Sequence, residues 1–340
     1  MIHLICNNAD LKQDGIGDYA YNLCKALQKK CDVTLHTTVS GLNGKWEQLT
    51  SVKMSRLICR VATVLKAGDV VFIEYPFVEC NPVVVAACRK LRAVADRKDC
   101  QILLSLHEYK RVSSLRKFII RQILKMSDAV MVTDSSLIPW IAEKYMKPAR
   151  LRTIPSNIFG GSVRECKKDR SLYVFFGLIS RTKAFREMLE AWQRFNKGKR
   201  NTLLIMTSSD FDNTFEQYGV RFLHNLTQQE IAEHFRKAAY CILPIIPHVS
   251  INNATYKTAL LYECIPIGHF DPQLASLEYI VNIKENSTDG ILDGLIESAE
   301  MDEVEYSSKA SVLRLVEKPS FEQTASEYIN AVNNLLVNHL

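Results

Sequence analysis

An α/β protein of two doubly wound domains is what this sequence predicts, on three observations. Short β-rich runs alternate with amphipathic segments along nearly the whole chain, the pattern of strand–helix–strand units around parallel sheets. The alternation begins afresh after Ile158-Phe159-Gly160-Gly161-Ser162 and the charged stretch 164–170, which reads as a linker. Finally, 340 residues exceed what one hydrophobic core usually serves.

In the first half, strands are expected at 2–6, 33–37, 70–74, 102–106, 129–133 and 151–154. Helices fill most of the gaps. In the first of them, Ala20, Leu23, Cys24 and Leu27 repeat at i, i+3, i+4 and i+7, so one face is buried. In the second half, strands are expected at 172–176, 203–207, 220–223, 240–243 and 265–269. A closing helix over 321–336 carries Ala325, Tyr328, Ile329, Val332 and Leu335 on one side. The expected domains are 1–157 and 158–320, with 321–340 as a helix that can pack back on the first.

Composition excludes disordered and fibrous classes: 47% hydrophobic and 24% charged residues are ordinary globular values. Ten cysteines show neither a CxxC pair nor metal-ligand spacing, so they read as reduced core residues. The apolar start, Met1 to Cys6, is too short for a signal peptide. No stretch approaches the roughly 20 apolar residues of a membrane span, so a cytoplasmic protein is expected. The net charge of +6 argues only weakly for anionic partners.

Four segments can carry chemistry. The turn Asp14-Gly15-Ile16-Gly17-Asp18-Tyr19 follows the first strand, where two glycines let backbone N–H groups approach a ligand. It lacks the third glycine of a dinucleotide fingerprint, and Asp14 and Asp18 would repel a pyrophosphate, so a hydroxyl-rich partner suits it; a plain turn with Asp18 as cap is the alternative. Ser105-Leu106-His107-Glu108 and Glu74-Tyr75 each end a strand, where open α/β sheets bind ligands. Phe176-Gly177-Leu178-Ile179-Ser180-Arg181-Thr182-Lys183 precedes a helix, and Arg181, Lys183 and Arg186 flank its start. A helix prefers cations at its other end, so a bound diphosphate would explain them. Asn252-Asn253-Ala254-Thr255-Tyr256-Lys257 opens another helix with neutral donors; N-capping is compatible with that role.

In this order the segments resemble GT-B glycosyltransferases of the large family 4 type, over nearly the whole chain. The 14–19 turn is similar to the family's N-terminal glycine loop, and Leu106-His107-Glu108 to its strand-end histidine motif. Ile154-Pro155-Ser156-Asn157 resembles the approach to its interdomain crossing, Gly177 to Lys183 its phosphate loop, and Tyr262 to Ile267 the turn into its conserved C-terminal strand. The resemblance implies two Rossmann-like domains facing across a cleft, a nucleotide-sugar donor on the second and an acceptor on the first. It implies retention of anomeric configuration. His107, Lys183 and Arg181 would be the catalytic groups, with His107 orienting the sugar. Gly177, Ser180, Asn253, Thr255, Tyr256, Lys257 and Glu263 would hold the donor; Gly15, Ile16, Gly17, Tyr19, Glu74 and Tyr75 would line the sugar or acceptor loop. The family's paired glutamates fall on Ile251 and Ala259, so both carboxylates are missing, and Glu263 is the candidate substitute.

No cofactor or metal is expected, because Lys183, Arg181 and a helix start would stabilise the leaving diphosphate. Asp210 and Asp212 read as solvated turn residues rather than metal ligands. Lys110, Arg111, Arg116, Lys117, Arg121 and Lys125, interleaved with Leu115, Phe118, Ile119, Ile123 and Leu124, form a basic amphipathic helix. Residues 110–125 are a candidate contact with an anionic membrane surface, which fits a lipid-linked or glycan acceptor in surface-polysaccharide synthesis; a half-buried core helix is the alternative. Nucleic acid is not expected, for want of an aromatic stacking platform among the basic residues. The rival reading is a non-catalytic nucleotide-sugar-binding subunit that activates a partner transferase.

Overall fold

The computed structural model describes residues 1–7, 15–42, 45–107, 109–110, 112–158, 166–209 and 214–337. The chain divides into two compact units, Met1–Ile154 with Pro319–Leu340, and Pro155–Lys318. Each is a Rossmann-like α/β unit around a six-stranded parallel sheet.

Unit 1 runs β1 (Ile2–Cys6), α1 (Gly15–Gln28), β2 (Val33–Thr37), β3 (Val39–Leu42), β4 (Lys45–Ser51), α2 (Met54–Val64), β5 (Val70–Tyr75), α3 (Pro82–Arg97), β6 (Gln101–Leu106), α4 (Ser114–Met126), β7 (Ala129–Val132), α5 (Leu137–Tyr145) and β8 (Ala149–Leu151). Its main sheet has the order β2-β1-β5-β6-β7-β8, while β3 and β4 form a separate antiparallel hairpin that periodicity did not predict. The inner strands β1, β5, β6 and β7 are buried on both faces, and their side chains alternate between two cores. Val71, Ile73 and Tyr75 pack with α2 and α3; Val70 and Phe72 pack on the opposite face with α1 and the last helix of the chain, Phe321–Val337. Glu74 and Ser105 are register partners on that second face.

The predicted strand 151–154 lies elsewhere. Its neighbour β7 offers four residues, pairing stops at Val132 opposite Leu151, and Arg152 leaves the ladder before Pro155. In α4, Ile119, Ile120, Ile123 and Leu124 are buried, whereas Leu115 and Phe118 are exposed.

Unit 2 runs β9 (Asp169–Phe176), α6 (Phe185–Phe195), β10 (Thr202–Thr207), β11 (Val220–His224), α7 (Gln228–Lys237), β12 (Ala238–Leu243), α8 (Ala254–Leu261), β13 (Ile265–Gly268), β14 (Val281–Asn282), α9 (Thr288–Glu300) and α10 (Glu303–Leu315); the chain ends with α11 (Phe321–Val337) in unit 1. The sheet order β11-β10-β9-β12-β13-β14 places β9 centrally, so its carboxyl end and the Gly177 loop lie beside the point where strand order reverses. Tyr173, Trp192, Phe195 and Tyr240 stack through the core beneath it. Among the described residues, no helix is long and apolar enough to cross a membrane.

Candidate functional site

In unit 2, three sequence-predicted residues converge where β9 ends. Gly177 has φ +120, a backbone that side chains rarely adopt, and a Cβ built on it would lie 2.6 Å from Lys183 Nζ and 4.0 Å from Thr255 Oγ1. The glycine therefore makes room for the lysine head. Thr255, in the first turn of α8, donates its hydroxyl to the Phe176 carbonyl at 3.3 Å, which ties that helix start to the same loop. The Lys183 ammonium sits 4.9 Å from the centre of the Phe175 ring, and burial pulls it down to about 8. Asn253 caps α8 by accepting from Tyr256 N at 2.9 Å.

The other donor-side residues disperse. Arg181 is exposed in the turn, and Ser180 Oγ lies 2.8 Å from Thr182 Oγ1. Arg186 is exposed and paired with Glu190. Tyr256 is a core residue whose hydroxyl meets that of Tyr279 at 2.8 Å. Lys257 is half-buried, with its ammonium pulled down by burial. Glu263 follows the far end of α8, roughly 12 Å along the helix from Thr255, and is ion-paired with Arg314 and Lys318 at 3.2 and 3.1 Å. Ala259, at a position where the family carries a glutamate, is fully buried. Asp210 and Asp212 lie outside the described residues, as do Asp14, Glu108, Arg111 and the glycines of the expected linker.

Unit 1 gathers a second constellation at the carboxyl edge of its sheet. Glu74, fully buried, accepts from His107 Nε2 at 2.8 Å through one carboxylate oxygen and from the Tyr328 hydroxyl at 2.8 Å through the other. Ser105 Oγ lies 2.8 Å from the Tyr328 oxygen. Tyr19 packs edge-on against the His107 ring at 5.0 Å, and the Arg152 guanidinium lies 4.5 Å over the Tyr19 ring. Burial alone would raise the Glu74 carboxyl, but the His107 hydrogen bond and the Arg152 charge hold it below the usual range. Burial first, then Arg152, pull His107 down to about 4, so the ring is neutral at pH 7. Tyr75 points to the opposite core, where burial lifts its phenol to about 12. Gly15, Ile16 and Gly17 form the first turn of α1 rather than a loop, so their N–H groups belong to a helix start.

Sequence reasoning missed Arg152 and Tyr328. Arg152 was absorbed into an expected strand, and Tyr328 into the apolar stripe of the last helix, although its hydroxyl needs a partner wherever the ring is buried. Among the described residues, no group of three or more His, Cys, Asp or Glu gathers as a metal site.

On the flank of unit 1, Arg121, Gln122, Lys125, Lys144, Tyr145 and Lys147 line a groove of about 330 Å³ between α4 and α5. Tyr109, Trp140 and Tyr145 form a continuous chain of ring contacts there, at 4.6 and 5.4 Å.

No family model and no curated protein matches this sequence. Solved structures do. An alpha-glucosyltransferase in complex with UDP-glucose and DNA containing an abasic site aligns at 12% identity and TM-score 0.66, over 98% of this chain and 99% of that one. A glycosyltransferase from Rickettsia africae ESF-5 aligns at 10% identity and TM-score 0.67, over 98% of both chains. TarM aligns at 11% identity and TM-score 0.60, over 84% of this chain and 59% of its own. The expectation that nucleic acid is excluded is corrected by the first of these and by its complexes with 13-mer DNA. A protein of this fold is there bound to DNA, and phosphate contacts to cations give such binding without a stacking platform. Of the three half-buried rings, which pack against the core of unit 1, Tyr145 lines the basic groove. At 10–13% identity the likeness establishes the fold: this chain has the double Rossmann-like, GT-B fold of these glycosyltransferases.

Proposed function

We propose that this chain is a glycosyltransferase that takes a sugar from a nucleoside-diphosphate sugar, with unit 2 binding the diphosphate and unit 1 carrying the acceptor-side residues. The observation that carries the reading is the Lys183 ammonium, drawn out of water beside Gly177 and the start of α8. A desolvated cation is costly unless an anion meets it, and the helix start offers backbone donors to that same anion. Negative charge grows on the diphosphate as the glycosidic bond breaks, so a fixed ammonium favours the transition state over the ground state. Arg181 adds positive charge from the same turn. His107, neutral and held by Glu74, orients a substrate hydroxyl rather than carrying charge. The resemblance to family 4 transferases supports retention and a glycan acceptor in surface-polysaccharide synthesis.

A second acceptor, DNA, is favoured by the basic groove between α4 and α5 together with the DNA-bound glucosyltransferases of the same fold. Under this reading Lys125 and Lys144 hold the phosphate backbone.

Thermal-shift titration with UDP-, GDP- and dTDP-sugars tests the donor assignment. A true donor at a hundredfold excess over its dissociation constant stabilises the fold by about 2.7 kcal/mol. Lys183→Ala is expected to abolish that shift; an unchanged shift would overturn the proposal. Turnover of the stabilising donor separates an enzyme from a binding subunit, the reading that the missing carboxylates at Ile251 and Ala259 favour.

A further inference from the structure

The hydrogen bonds around Glu74 run in one direction, and this fixes what His107 can offer. A carboxylate only accepts, so Tyr328 spends its single hydroxyl proton on Glu74 Oε1. The Tyr328 oxygen is then an acceptor, with Ser105 Oγ at 2.8 Å and the Tyr19 hydroxyl at 3.5 Å as donors. The other carboxylate oxygen, Oε2, takes the proton on His107 Nε2. Since the ring is neutral, carrying its one proton on Nε2 leaves Nδ1 as a lone pair. The His107 backbone is fixed as well: its N–H donates to the Tyr75 carbonyl at 3.0 Å, and its carbonyl accepts from Thr133 Oγ1 at 3.0 Å.

We propose that Tyr328 is a positioning residue: carried by the last helix into unit 1, it orients Glu74, which locks His107 with Nδ1 as a hydrogen-bond acceptor for a substrate hydroxyl. Among the described residues, Glu74 on β5, Tyr19 on α1 and Arg152 after β8 face His107, and Ser105 on β6 and Tyr328 on α11 act on it through Glu74. Glu74 and Arg152 act with opposite charge. The carboxylate keeps the proton on Nε2, while burial and the guanidinium oppose a second proton on Nδ1. The functional half of this inference rests on the glycosyltransferase reading; the structural half does not.

Two measurements therefore go together. In the free protein, the ¹⁵N shifts of His107 are expected to show a neutral ring protonated on Nε2 at pH 7. A ring protonated on Nδ1, or one averaging between tautomers, overturns the proposal whatever the activity. In Tyr328→Phe, which keeps the ring in its core, Glu74 loses a donor and pulls harder on the His107 proton. The acid limb of the turnover profile is then expected to move to higher pH, with kcat about tenfold lower and donor KM within about twofold. Ser105→Ala, one bond further along, is expected to move the limb the same way by less. If both variants fold and bind nucleotide as wild type does, yet neither the limb nor the His107 shifts move, Tyr328 is a packing residue only. A failure of donor binding by wild type would instead remove the glycosyltransferase reading and leave the tautomer result standing.

Discussion

The hydroxyl of Tyr328 donates to Oε1 of Glu74 at 2.8 Å, across 254 positions of sequence. Both residues are fully buried. Against burial, the hydrogen bonds from His107 and Ser105 and the charge of Arg152 hold the Glu74 carboxyl below its usual range, and the Tyr328 hydroxyl adds a donor.

Arg152 opposes protonation of His107 through its charge. In Arg152→Met, the His107 pKa is expected to rise from its position near 4 toward the ordinary imidazole value. An NMR pH titration of the ring carbons reads this directly. An unmoved titration would mean that burial alone sets the value.

Nucleotide affinity is expected to depend on pH through Lys183. Free Lys183 titrates near 8, and a bound diphosphate raises that value, so binding is at full strength below pH 8 and weakens as pH rises past it. Calorimetry of nucleoside-diphosphate binding between pH 6.5 and 9.5 checks the sign. In Lys183→Met the dependence should vanish along with most of the affinity.

Gly177→Ala is expected to weaken nucleotide binding about tenfold or more. The new methyl group would stand where Lys183 Nζ now lies, and φ +120 adds strain on the order of 1–3 kcal/mol to the folded state. A fall in Tm accompanied by unchanged affinity would show that Lys183 has no fixed place in binding.

Glu263→Ala is expected to leave nucleotide affinity within about twofold of wild type. Its partners Arg314 and Lys318 hold it at the far end of α8, and such partly exposed pairs contribute about 1 kcal/mol or less. A large loss of affinity would return Glu263 to the ribose site.

Lys125→Glu with Lys144→Glu is expected to abolish DNA retardation in a mobility assay and flatten its dependence on salt. Lys147 is a poor target, because its ammonium is spent on the Lys125 and Ser127 carbonyls. Wild-type protein that ignores DNA at low salt would remove the DNA acceptor reading.

The fold was largely legible in the sequence because buried parallel strands are mostly apolar runs; 2–6 coincides with β1 and 102–106 falls within β6. The β3–β4 hairpin escaped, since its strands are short of alternating apolar residues, although the sequence Asn43-Gly44 is of a kind that favours hairpin turns. In the second unit, Gly177, Lys183 and Thr255, singled out from the sequence, lie together in the folded chain, while Arg181 stands exposed. Arg152 and Tyr328 were not legible. Periodicity reports which face is buried, not which buried side chain meets another far along the chain, as Arg152 meets Tyr19 and Tyr328 meets Glu74.

Phe321, Ala325, Tyr328, Ala331, Val332 and Leu335 complete a hydrophobic layer whose other buried members lie in the first 131 residues. During synthesis, the unbroken stretch 155–318 has all its strands before the earlier-made segment receives its final helix. A nascent first unit must therefore wait, with Phe72 and Leu23 uncovered on that side, until the ribosome has finished the last helix. A premature stop before Phe321 leaves a complete second unit attached to a first unit lacking one wall and the Tyr328 hydroxyl.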